Sequence, residues 1–426
     1  MRKKLDELVS NKFFQGGLII TISSFIINFF GYLFNSITAK ALGPTNYGEI
    51  MTTFSYLAIT SIPFSICTAL IIKKLGSAED LRANTALAME QWFWKKINQY
   101  KLLIVFFLAG LFISSRINNL RIESSLFLVF SFLISVTGLL YGGIMQGLHY
   151  FVFFALINIV MAIMKLTGSV LTLFNFGGLT LIYIFINLGG ILNIVMGKLK
   201  LNKFKTTSEY VFDKRISHLF SNKKMLMTIA SLTAISLLSN FDLIYVKKVF
   251  PAETAGIYSA WSLFAKVILY LLGSAQTISY IFFSDKKTEK SQKKALKFIS
   301  LMILVIGVII FAGYSFFGKT LTLLIFNSKY FTIIEYLPHA AIFGVFYTFI
   351  TIVNGYFVAK NDRSSLIIVI TMPLYIIGFI MFGKSLSNTI YINLIFSGIL
   401  SLFYLFILQR NLPKVTISSS SMPETF

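Results

Sequence analysis

Three ionisable residues, Lys165, Asp242 and Lys266, fall inside long and otherwise apolar runs. A charge at the centre of a membrane helix costs about 2.5 to 3.5 kcal/mol on insertion scales, so such a residue faces a cavity or a partner. Two lysines against one aspartate leave a basic excess, which suits a diphosphate or a sugar acid. Lys266, in Trp261-Ser262-Leu263-Phe264-Ala265-Lys266, lies too deep to snorkel to an interface and is read as a cavity-facing cation. Asp242 is expected to pair with Lys266 in the absence of substrate or to carry a proton; the competing role is a structural salt bridge between helices. Asn28, Asn35 and Asn240 suit binding of sugar hydroxyls and, equally, hydrogen bonding between packed helices. Lys40 and Lys248 sit at helix ends, where a substrate contact competes with snorkelling to the headgroups.

Enzyme chemistry finds little support. Cys67 is the only cysteine, so neither an intramolecular disulfide nor a thiolate metal cluster is available. His149, His218 and His339 occur singly, without metal-ligand spacing. No Asp-x-Asp pair and no Ser/His/Asp set is placed for acid–base or metal-assisted catalysis. A membrane glycan polymerase or glycosyltransferase is therefore the weaker alternative, and the expected cofactor set is empty apart from a coupling H+ or Na+.

The elements that must position these residues are membrane helices. Hydrophobic residues make up 56% of the 426, charged residues only 13%, and 45 are Phe, more apolar surface than a soluble globule hides. A spanning helix needs roughly 20 apolar residues, and about twelve runs meet or approach that length. They cover 16 to 38, 50 to 72, 102 to 115, 125 to 147, 151 to 174, 177 to 197, 225 to 246, 256 to 283, 298 to 317, 338 to 359, 366 to 383 and 390 to 408. Long continuous runs exclude a membrane barrel, whose strands would be short and alternating. The first run is too long for the core of a signal peptide and is expected to remain as a span. Residues 82 to 100, with Trp92-Phe93-Trp94-Lys95-Lys96, suit a helix lying in the cytoplasmic interface.

The formal net charge of +22 is mainly topological. With the N-terminus inside, the external loops hold only Lys40, Arg116, Arg121, Lys247, Lys248, Lys319, Lys329 and Lys384, and most of the 38 Lys and Arg are cytoplasmic. This is the positive-inside pattern; it puts both termini in the cytoplasm and argues against nucleic-acid binding. Basic loops on that face also attract anionic lipids.

A repeat divides the chain. At one constant shift of about half its length, Lys40 falls on Lys248, Gly48 on Gly256, Gln146-Gly147 on Asn354-Gly355, Gly110 on Gly318 and Gly190 on Gly398. The implied organisation is an N-terminal six-helix lobe over 1–197, a cytoplasmic linker over 198–224, a C-terminal six-helix lobe over 225–410 and a polar cytoplasmic tail over 411–426. An even number of spans per lobe makes the repeat parallel, with a substrate path between the lobes.

Leu42-Gly43-Pro44-x-x-Tyr47-Gly48, its echo Ala255-Gly256-x-Tyr258, and Leu324-Ile325-Phe326-Asn327-Ser328-Lys329-Tyr330 resemble the polysaccharide-transporter branch of the MOP superfamily, which includes the Wzx flippases of O-antigen and capsule repeat units. The resemblance covers nearly the whole chain in order. It implies two V-shaped six-helix lobes, a cavity lined by spans one, two, seven and eight, and alternating access. It places Lys165 on a span away from the central helices, where a role within the lobe is as well supported as a substrate contact. It also implies movement of undecaprenyl-diphosphate-linked oligosaccharide to the outer leaflet of the bacterial inner membrane. Membrane lipids, a polysaccharide polymerase and a chain-length regulator are the expected partners. The rival from the same superfamily is a multidrug and cation antiporter, for which acidic rather than basic residues would be expected in the cavity.

Overall fold

The computed structural model describes residues 12–76, 82–204, 223–273, 283 and 289–410. The expected linker and tail lie mostly outside these residues. Among the described residues the structure is helical, without strands, as hydrocarbon demands of any backbone that cannot hydrogen-bond to water.

Helix α1, Lys12–Gly76, is 65 residues long, far beyond the roughly 30 Å of a bilayer core at 1.5 Å per residue. It is two spans folded into a hairpin. Gly43 adopts φ 70°, and Pro44, inside the helix, follows it. A glycine accepts that left-handed conformation without penalty, and the proline cannot donate to the preceding turn. The reversal brings Phe34 and Phe54 to a ring-centroid distance of 5.9 Å and Tyr47 Oη to 3.3 Å from Asn35 Oδ1, to which it donates.

Helix α2, Arg82–Gln99, bends by 73° into α3, Lys101–Ile117. Three spans follow, α4 over Ile122–Gly147, α5 over Phe151–Leu173 and α6 over Leu179–Asn202, packed against one another and against α1.

The second bundle begins with α7, Lys223–Val249. The next span is broken where a continuous helix was expected: α8, Ala252–Ala265, stops at Lys266, and α9, Val267–Leu271, restarts after it. Then come α10, Glu289–Ile325, a 3-10 segment over Ser328–Tyr336, α11, Leu337–Ala359, α12, Ile367–Phe382, and α13, Leu386–Arg410. Aromatic side chains hold this bundle together: Trp261 donates to the Tyr336 carbonyl at 2.9 Å and Tyr314 to the Phe264 carbonyl at 3.0 Å. Outward positions are as apolar as the interior, Phe106, Phe316 and Ile370 being 74%, 81% and 73% exposed, because lipid is their solvent.

By length and composition nine described helices can cross a membrane, or ten with the bent α2–α3 pair. The hairpin of α1 raises the number of crossings by one. The eighth expected span, 256 to 283, runs through α8 and α9 and then leaves the described residues.

Candidate functional site

The two bundles meet tightly at one end, the end whose loops the charge pattern assigns to the outside. Gly48 and Gly256, matched by the repeat, lie against each other: a Cβ on Gly48 would stand 2.8 Å from the Gly256 nitrogen, and one on Gly256 would overlap the Pro44 carbonyl. No larger residue permits that approach. Around this contact Asn119 donates to the Lys248 carbonyl at 3.0 Å, Ser36 to the Ile325 carbonyl at 2.5 Å and Tyr330 to the Ala39 carbonyl at 3.3 Å. Tyr47 packs edge-on against Phe326 and Tyr330.

Glu49 and Lys247 close the same end with an ion pair of 2.5 Å between side chains 2% and 4% exposed. The Glu49 carboxylate also accepts from the Arg121 backbone N–H. Sequence reasoning placed Lys247 in an external loop and overlooked Glu49. The available signal was an acid directly between Gly48 and the apolar run from 50 to 72.

Below the closed end lies a cavity of about 310 Å³ between both arms of α1, α5, α7 and the α8–α9 break. Its polar lining comprises Asn28, Tyr32, Asn35, Ser55, Lys165, Asn240, Lys266 and Tyr270. Five of the eight residues singled out in the sequence thus share one chamber. Among the described residues, no carboxylate lines it.

Lys266 is 7% exposed, and among the described residues no carboxylate forms an ion pair with it. Its position at the helix break explains how α8 delivers it: the Lys266 N–H is shared between the Ser262 and Leu263 carbonyls at 3.2 Å each, and the chain turns there. Lys165 is directed inward by α5, which is fastened to α1 one turn further on by a 2.7 Å hydrogen bond between Ser169 and Thr38. Its ammonium lies 4.0 Å from the Phe34 ring centroid and 4.3 Å from that of Phe54. A desolvated cation against aromatic faces gains about 2 kcal/mol, which offsets much of the cost of a lysine at the wall without an acid. A position away from the central helices, expected for Lys165 from the resemblance, is not what the structure has.

Asn240 donates to the Ser236 carbonyl at 2.9 Å and to Ser239 Oγ at 2.7 Å, and Asn35 donates to the Gly31 carbonyl at 2.8 Å. These bonds leave the amide oxygen of Asn240 free of protein donors among the described residues. Asn28 lines the chamber at the first arm of α1.

Three candidates stand elsewhere. Asp242 is fully enclosed behind the wall and does not pair with Lys266 at ion-pair distance; it accepts from Tyr258 Oη at 2.6 Å and from the Leu243 N–H at 2.9 Å. Asn393 donates to Tyr258 Oη at 2.8 Å and accepts from Tyr375 Oη at 2.6 Å, giving a four-residue chain across α7, α8, α13 and α12. The charges of Asp242 and Lys266 nevertheless lie close enough to interact. Lys40 is exposed at the closed end and donates to the Leu324 carbonyl at 2.6 Å. Lys248 is exposed there as well. Helix-end position, which puts these two lysines at the rim of the closed end, also takes them out of the cavity.

No protein-family model matches the chain, and no curated protein does. Solved structures do. An inward-facing multidrug resistance MATE family transporter of the MOP superfamily aligns with TM-score 0.67 and 14% identity over 91% of this chain and 95% of its own. An outward-facing one aligns with TM-score 0.60 and 15% identity over 95% and 97%. A MOP superfamily transporter from Pyrococcus furiosus, described as having a pocket of reversed polarity that suggests a different function, aligns with TM-score 0.58 and 14% identity over 94% and 97%. The chain is a multi-pass membrane protein with the fold of the MOP-superfamily transporters.

Proposed function

We propose that this protein is an alternating-access transporter whose cargo is anionic, in the form of a phosphate-bearing lipid carrying an oligosaccharide. The observation that carries the reading is the chamber itself: two lysines, three asparagines and two tyrosines, with no lining acid among the described residues. An anion there gains charge-assisted hydrogen bonds from Lys266, and the amides suit sugar hydroxyls. Closure at the outer end by Glu49–Lys247 and Gly48–Gly256 supports a conformation in which the chamber is reached from the cytoplasmic side. Undecaprenyl-diphosphate-linked oligosaccharide is the cargo of this class that the turn motifs suggest, with the bacterial inner membrane as its place.

A second reading, multidrug antiport, is favoured by the names of the solved relatives, which at 11% to 15% identity speak for the fold rather than for the cargo. The two readings part on charge. Deleting the gene in the native host is expected to leave lipid-linked oligosaccharide at the cytoplasmic leaflet and to remove surface glycan. Normal surface glycan together with hypersensitivity to lipophilic cations would replace the first reading by the second.

Asp242, hydrogen-bonded to Tyr258 and near the Lys266 charge, is the proposed carrier of a coupling H+ or Na+. Asp242→Asn keeps an acceptor for Tyr258 and removes the charge. It is expected to lower turnover several-fold and to flatten its dependence on external pH and Na+. Transport by this variant with wild-type rate and unchanged pH and Na+ dependence removes the coupling assignment.

A further inference from the structure

A second cavity, of about 530 Å³, lies at the elbow between α2 and α3, away from the central chamber. One face of α2 roofs it: Met89, Trp92, Phe93, Lys96 and Ile97 recur at the spacing of a single helical stripe. Its other walls are residues 64–71 of α1, 136–140 of α4 and the first turn of α3. Since α1 ends at Gly76 and α4 at Gly147, a rise of 1.5 Å per residue puts the crevice about 8 to 18 Å below those ends. That is the depth of the hydrocarbon chains of one leaflet.

The walls are almost wholly apolar, and the one charged side chain among them is Lys96. Its ammonium donates to Gln99 Oε1 at 2.9 Å and stands 5.5 Å from the Tyr100 ring centroid, at the mouth. Lys95 and Lys101 flank it, both exposed. The acid on this helix, Glu90, is occupied by the Tyr141 hydroxyl at 2.5 Å. The mouth is thus positive and the interior greasy, and the surrounding solvent is lipid.

We infer that this crevice is a binding site for an anionic phospholipid of the cytoplasmic leaflet, with one acyl chain inside and its phosphate against Lys96. A basic residue at the membrane surface contributes about 1 kcal/mol toward an anionic lipid, equivalent to roughly a fivefold preference over a zwitterionic one. The site is independent of the transported cargo.

The test uses the full-length protein in nanodiscs containing phosphatidylglycerol or phosphatidylcholine with a photoactivatable diazirine in the acyl chain. Cross-links are expected within residues 64–71, 89–104 and 136–140, about fivefold more abundant with phosphatidylglycerol. Lys96→Gln should bring that lipid down to the phosphatidylcholine level, and Leu139→Trp, which fills the crevice, should suppress both. Equal labelling by the two lipids, labelling elsewhere, or an unaltered preference in Lys96→Gln overturns the assignment. Displacement of the probe by undecaprenyl phosphate but not by unlabelled phosphatidylglycerol overturns it in favour of an isoprenoid.

Discussion

Lys266→Gln is expected to abolish glycan export while leaving the protein inserted and folded. The wild-type ammonium is enclosed at a helix break, and among the described residues no acid pairs with it. Its insertion costs stability, about 2.5 to 3.5 kcal/mol for a charge at mid-membrane, and glutamine avoids most of that. The lost attraction to the Asp242 charge opposes that gain, so the variant should melt close to the wild-type temperature. What it loses is a charge-assisted hydrogen bond to the cargo, about 1.5 to 3 kcal/mol, or roughly 10- to 150-fold in affinity. Lys165→Gln should have a smaller effect, because that ammonium is shared with the rings of Phe34 and Phe54. Flippase assays in proteoliposomes, read beside thermal melts, separate the two roles. Wild-type export by Lys266→Gln would remove Lys266 from the cargo site.

Glu49→Gln is expected to release the closed end. Breaking a buried ion pair by removing one partner costs about 3 to 5 kcal/mol, because the remaining charge is stranded. Here the stranded charge is Lys247, 4% exposed, and the penalty falls on the closed state. A shift of that size changes the ratio of closed to open molecules by at least about 100-fold. Exchanging the pair, Glu49→Lys with Lys247→Glu, restores the attraction but sets a lysine against the Arg121 N–H that Glu49 accepts, so recovery should be partial. Nitroxide labels at Ile117 and Val249, both exposed at that end, in a Cys67→Ser background report the separation. Wild type should give one short distance and Glu49→Gln a longer, broader distribution. Identical distributions would show that the pair does not govern closure.

The fold was largely legible because span length is written in continuous apolar runs; the spans observed at 122–147, 151–173 and 337–359 lie within a few residues of those expected. Gly48 and Gly256, which the sequence pairs at one constant shift, meet where two backbones touch and only glycine fits. Facing was not legible. In a soluble helix polar residues mark the outer side, but here Phe316 and Ile370 meet lipid while Phe264 and Ile268 are buried, and both sets are equally apolar. Lys165 therefore gave no sign of which side of α5 it occupied. Glu49–Lys247 was hidden for a different reason: both residues stand at span ends, where a charge is ordinary until a partner from the other bundle encloses it. Asp242 is costly on sequence grounds alone, yet the chain that holds it, through Tyr258 to Asn393 and Tyr375, draws on three other helices, and no local pattern joins them.

The polarity of the cargo is tested most directly by equilibrium binding to the purified protein in nanodiscs. Two ligands suffice, an undecaprenyl-diphosphate-linked sugar and the lipophilic cation tetraphenylphosphonium. A chamber built on Lys165 and Lys266 predicts that the anion binds at least about tenfold more tightly. It also predicts that the anion is lost from the Lys165→Gln, Lys266→Gln double variant and that the cation does not displace it. Tight binding of the cation, in competition with the anion and strengthened when the two lysines are neutralised, would contradict an anionic cargo.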